Sequence, residues 1–133
     1  MVTYLLKKSY QLKSLKEIPF KDLWGDHGIF TTMWIYGKPP KILFFKNHID
    51  NLIKSLKKYG IKKKFIRRDI LETINRNISL RNNYNHLLRV ALNNKIISIS
   101  LRKRVSPKLN FHLKFINFKR EKPKYKNLKY KKI

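Results

Sequence analysis

The apolar positions of this chain follow two different periods. Over "GIFTTMWIYGK", which starts at Gly28, the side chains alternate. Ile29, Thr31, Met33 and Ile35 share one face, and Phe30, Thr32, Trp34 and Tyr36 share the other. A period of two in β-branched and aromatic residues predicts a strand, ended by Gly37 with Pro39 and Pro40. Over "NHIDNLIKSLKKYG" the period lengthens. Ile49, Leu52, Ile53 and Leu56 fall at i, i+3, i+4 and i+7, which predicts a helix with one apolar stripe. Asn47 is its expected N-cap, with Asp50 favouring the positive end, and Gly60 is the residue expected just past its end. "RDILETINRNI" predicts a second helix. Asp69 and Glu72 form a capping-box-like pair there, and Ile70, Leu71, Ile74 and Ile78 make its buried side.

Alternation then returns. "HLLRVAL" sets Leu88, Val90 and Leu92 on one face, and "KIISISL" does the same with Ile97, Ile99 and Leu101. The intervening "NNK" is a hairpin turn signal. "KLNFHLKFINF" alternates Leu109, Phe111, Leu113 and Phe115. Before all of these, "TYLLKKSYQLKSL" holds one or two short strands. The expected architecture is a single α+β domain over residues 1–133, a mainly antiparallel sheet with two helices on one face.

Composition narrows the setting. The chain has 133 residues, 42% of them hydrophobic, enough for one packed core. It has no cysteine, which excludes disulfides and thiolate metal sites and fits a reducing compartment. No apolar run approaches the roughly 18 residues of a membrane span. The apolar stretch in "MVTYLLKKSYQ" is too short for a signal peptide. The chain is therefore expected to be cytoplasmic, with no membrane partner.

Charge changes the picture more. Lysine and arginine number 33 against seven acids, a formal net charge of +26. Such an excess attracts phosphate polyanions. Lys, Asn and Ile are also abundant together and Ala91 is the one alanine, the pattern an A+T-rich coding sequence produces by placing lysine on every solvated face. The lysines are scattered, and the strongest cluster is the tail "KREKPKYKNLKYKKI". That tail reads three ways: a solvated charge run, a basic arm in which Tyr125 and Tyr130 stack on bases, or a lysine-bearing segment of a larger site.

Residue chemistry alone exposes no catalytic site. His27, His48, His86 and His112 lack metal-ligand spacing, and no metal is expected. No pair of carboxylates has a spacing that argues a dyad. Neither a P-loop nor a dinucleotide fingerprint is present.

The stretch "WGDHGIFTT…IYGKPPKILFFKNHIDNLIKSLKKYGI" resembles the N-terminal domain of class IV aminotransferases, the fold-type IV pyridoxal-phosphate (PLP) enzymes, which include aminodeoxychorismate lyase. Trp24, Gly25, Asp26, Gly28, Phe30 and Thr32 match the first half of the family's pattern. Gly37, Lys38, Pro39, Leu43, His48, Asp50, Leu52, Ser55, Gly60 and Ile61 match the second. Arg89 in "HLLRVAL" stands at the arginine of a family strand. "KNLKY" resembles the segment that carries the cofactor lysine. The match covers about residues 22–130, with a clear core at 24–61.

The resemblance implies a PLP-dependent aminotransferase or lyase acting on an amino acid or 2-oxo acid, in a homodimer. Lys126 would be the lysine that holds the cofactor, with Tyr130 in the same segment. Phe30, Thr31 and Arg89 would face the substrate. The family's phosphate-contacting arginine falls on Asn51, and Lys54, three residues on, would supply charge there instead. The family's asparagine in the lysine segment is Lys129. In the family a second domain follows, and the chain is expected to be an N-terminal part of a longer enzyme, inactive alone. The rival expectation, from another class, is a small basic nucleic-acid-binding module.

Overall fold

A computed structural model describes residues 2–105. Among the described residues, six strands form one sheet: β1 (Tyr4–Gln11), β2 (Glu17–Ile18), β3 (Gly28–Gly37), β4 (Lys41–Ile42), β5 (Tyr84–Asn93) and β6 (Ile96–Lys103). Two helices, α1 (Phe45–Lys58) and α2 (Ile66–Asn77), lie between β4 and β5 in sequence. The strand order is β2-β1-β6-β5-β3-β4, and every pairing is antiparallel. This is the expected α+β architecture. The alternating stretch around Leu109 and Phe115 lies outside the described residues, and β4 was not expected from the pattern.

Side-chain alternation sorts the sheet into two faces. Ile29, Met33 and Ile35 of β3, Leu88, Val90 and Leu92 of β5, and Ile97, Ile99 and Leu101 of β6 are buried together. The apolar stripes of the helices close over them with Ile49, Leu52 and Leu56 from α1 and Ile70 and Ile74 from α2. Burial of this kind contributes roughly 1.5–3 kcal/mol per large aliphatic side chain. The opposite face carries Phe30, Arg89, Ala91 and Ser98, and is partly covered by the segment between β2 and β3.

The ends of the helices correct two expectations. α1 starts from Phe44, in the left-handed region at φ 52, without a side-chain cap, so Asn47 sits inside the first turn. The far end is as expected. Gly60, at φ +83, lets the Gly60 and Ile61 amides turn back onto the Lys57 and Leu56 carbonyls at 3.2 and 2.9 Å, a Schellman closure. α2 likewise starts earlier than expected, from Phe65 at φ 60 with no side-chain cap. Asp69 is not part of a capping box. Its carboxylate is buried against Lys63 Nζ at 2.7 Å, and Glu72 pairs with Arg76 instead. The helix begins at Ile66, which places Asp69 inside its first turn rather than at the cap position.

At the β5–β6 hairpin the expected turn forms. Asn93 Oδ1 accepts hydrogen bonds from the backbone amides of Lys95 and Ile96 at 2.8 and 2.7 Å, a side chain completing its own turn.

Candidate functional site

The face away from the helices gathers one unusual cluster around Arg89. Leu88 and Val90 point into the core, so the period of two sends Arg89 to the other side. There it meets Phe30. The register pairs Phe30 with Ala91 and Thr32 with Arg89, so Phe30 and Arg89 are diagonal neighbours on one face. The Arg89 guanidinium lies 5.3 Å from the Phe30 ring centre and 4.3 Å from that of Trp24. The two rings are themselves 5.3 Å apart, tilted by 60°.

Trp24 is held there by a long-range stitch. Ser9 and Ser98, on paired positions of β1 and β6, lie 2.7 Å apart. The Lys21 amide donates to Ser9 Oγ at 2.9 Å, and Ser98 Oγ donates to the Lys21 carbonyl at 2.6 Å. Both serines are buried, so the chain at Lys21 is fixed across the sheet. Leu23 then packs on Ala91, and Asp22 and Trp24 flank Arg89.

Arg89 is poorly satisfied for a buried cation. Its side chain is 16% exposed. Nη1 reaches Asp22 Oδ1 at 3.3 Å and the Asp22 carbonyl at 3.4 Å. Nε and Nη2 are buried without a hydrogen-bond partner among the described residues. Those two atoms form one edge of the guanidinium, the edge that binds a carboxylate through two parallel hydrogen bonds. Burial pulls the Arg89 pKa below its usual value, and Asp22 pulls it back up. A guanidinium stays charged at neutral pH all the same. The cluster is therefore a desolvated cation with a buried, unpaired fork beside two aromatic rings.

The expected site residues divide. Phe30 and Arg89 are brought together. Thr31 is not with them. One residue along a strand flips the face, so Thr31 is buried on the helix side, with Oγ1 3.0 Å from His48 Nδ1. Asn51 and Lys54 are exposed on α1, the helix that covers the opposite face from Arg89. Lys126 and Tyr130 lie outside the described residues. Sequence reasoning missed Asp22 as a partner of Arg89, because its position depends on the Ser9–Ser98 stitch.

Among the described residues no group of three or more His, Asp or Glu side chains could hold a metal ion. No helix among them is long and apolar enough to cross a membrane. Neither protein-family models, nor curated proteins, nor solved structures give a match to this chain.

Proposed function

We propose that this chain is the N-terminal domain of a PLP-dependent class IV aminotransferase, or of a related aminodeoxychorismate-lyase-like enzyme, acting on amino acids. The observation that carries the reading is the buried Arg89 edge beside Phe30, an edge with no hydrogen-bond partner among the described residues. The described residues fit the substrate side of such a site: a carboxylate is the ligand that Nε and Nη2 lack, and amino acids and 2-oxo acids all carry one. They supply no phosphate cradle near Arg89. Holding the cofactor falls to Lys126 and Tyr130. Asn51 and Lys54, the positions that correspond to the family's phosphate contact, lie on the helix that covers the other face of the sheet and do not share a site with Arg89.

In this reading the chain's residues have distinct tasks. Arg89 fixes the substrate carboxylate through two charge-assisted hydrogen bonds, which orients the Cα–H bond. Phe30 and Trp24 exclude water, so the ion pair acts in a low dielectric. For a carboxylate to reach the buried edge, Trp24, 44% exposed, has to move aside. Asp22 holds the far side of the guanidinium. Lys126 Nζ takes and returns the Cα proton. It needs a pKa lowered from the ordinary value of about 10.4, which neighbouring cations favour. The bound cofactor supplies the electron sink.

The test is borohydride trapping. The 133-residue chain is incubated with PLP, reduced and digested, and the phosphopyridoxyl peptide is mapped. Label concentrated on Lys126, rather than on Lys124 or Lys129, is the expected result. Label spread evenly over the lysines would overturn the assignment.

A further inference from the structure

The link from α1 to α2 carries the densest positive run among the described residues. From Lys62 to Arg68, "KKKFIRR", five of seven residues are basic. Some of these charges are spent inside the fold. Lys63 pairs with Asp69 and donates to the Leu12 carbonyl. Arg67 pairs with Asp50 at 2.6 Å. Arg76, two turns along the same face of α2 as Arg68, pairs with Glu72 and donates to the Leu15 carbonyl at 2.7 Å. Lys13, Lys62, Lys64 and Arg68 are exposed and have no acidic partner among the described residues.

Between these cations stands Phe65. Its side chain is 65% exposed and its backbone is left-handed. For a bulky residue that conformation costs roughly 1–2 kcal/mol, and burial does not offset it. The Arg68 guanidinium lies 4.6 Å from the ring centre. The ring forms a ridge between two hollows. One, of about 790 Å³, runs along the outer face of α2 past Arg67, Leu71 and Asn75. The other, of about 340 Å³, is lined by Lys13, Ser14, Lys63 and Lys64.

We propose that the Phe65–Arg68 ridge is a binding site for single-stranded nucleic acid, a role beyond amino-acid chemistry. One base stacks on the exposed ring, and the flanking phosphates lie along Lys13, Lys62, Lys64 and Arg68. An aromatic face beside unpaired cations is the arrangement that holds single strands without reading sequence. Duplex bases are already stacked and offer no face to Phe65. An acidic protein surface would use the charges but not the ring.

The test is fluorescence anisotropy of the full chain with a labelled oligothymidine of about 12 nucleotides, a length within one module's site size, and with the matching duplex. The chain's overall charge gives background binding, so two equal charge losses are compared. Lys64→Gln with Arg68→Gln is expected to weaken single-strand binding about tenfold or more, and to flatten its salt dependence by about 1.4 logarithmic units per decade. Lys38→Gln with Lys41→Gln, at the exposed β3–β4 turn, is expected to change it less than about threefold. Phe65→Ala is expected to weaken it at least about fivefold with the salt slope unchanged, as a lost base stack does. Phe65→Asn, which keeps a residue tolerant of the left-handed backbone, must behave the same way. Circular dichroism verifies that each variant is folded. Equal losses from the two lysine-containing pairs, unchanged binding in both Phe65 variants, or a duplex bound as tightly as the single strand would each overturn the proposal.

Discussion

Replacing Arg89 by methionine separates a residue kept for binding from one kept for stability. The guanidinium leaves two buried donors unpaired, at a cost of roughly 1–3 kcal/mol each. Against that stand two ring contacts, at 4.3 and 5.3 Å, worth roughly 0.5–2 kcal/mol each. The ion pair to Asp22 is long, and the Asp22 side chain is 58% exposed, so it adds only about 0–1 kcal/mol. The opposing effects nearly cancel. Methionine keeps an unbranched side chain against Trp24 and Phe30, gains sulfur–ring contact and has no donors to strand. Arg89→Met should therefore be neutral, or stabilise the chain by up to about 2 kcal/mol. Urea unfolding followed by far-ultraviolet circular dichroism measures this without relying on Trp24. The same titration with 2-oxoglutarate gives the functional half. The wild-type midpoint should rise with the ligand, corresponding to about 2.7 kcal/mol of added stability at a hundredfold excess over Kd, and that of Arg89→Met should not. If Arg89→Met costs more than about 2 kcal/mol, the guanidinium is a structural cation. If the variant keeps the ligand response, the carboxylate binds elsewhere. Either result refutes the reasoning.

Much of that cluster could be read along the chain, and its missing parts share one cause. Alternation in "HLLRVAL" puts Leu88 and Val90 inside, which already sends Arg89 to the other face. The same rule puts Phe30 opposite Thr31, and the resemblance that grouped Phe30, Thr31 and Arg89 ignored it. What alternation cannot give is register. Thr32 meets Arg89 only because β3 and β5 pair across α1 and α2, and no local pattern encodes that alignment. Asp22 and Trp24 are further out of reach. They are placed by a serine pair 89 residues apart and by one backbone segment lying over it. The helix starts failed for a related reason. Asn47 and Asp69 have the right side chains for caps, but Phe44 and Phe65 enter the helices through left-handed turns. Asp69 sits in the first turn of α2 and pairs with Lys63 from there. The basic run at Lys62–Arg68 was visible as sequence. Which of its charges are spent inside the fold was not.

Asn51→Arg restores the arginine found in the resembling family, but on the far side of the sheet from Arg89, and should leave the PLP labelling yield at limiting PLP within about twofold. A yield raised about tenfold or more would mean that α1 does touch the phosphate and that the site is not at Arg89. His86 gives a pH signature. Burial, and then the Lys103 charge, hold its pKa below the ordinary value near 6.5, and its Nδ1 accepts the Asn85 amide at 3.0 Å. Its contribution to stability is complete above about pH 6.5 and is lost as pH falls through the lowered value, so His86→Gln should flatten the decline in urea midpoint between about pH 7 and 5. The same decline in both proteins would rule His86 out. The Lys63–Asp69 pair fixes α2 against the β1–β2 turn. Asp69 is 7% exposed and Lys63 24%, and their 2.7 Å contact is not aligned as a hydrogen bond. Lys63→Met would strand a buried carboxylate, at a cost of roughly 3–5 kcal/mol. Adding Asp69→Leu removes the stranded charge, so the double variant should recover most of that loss. The cycle of four proteins in urea gives the coupling. A Lys63→Met cost below about 1 kcal/mol would show that water reaches Asp69 and that the pair does not hold α2 in place.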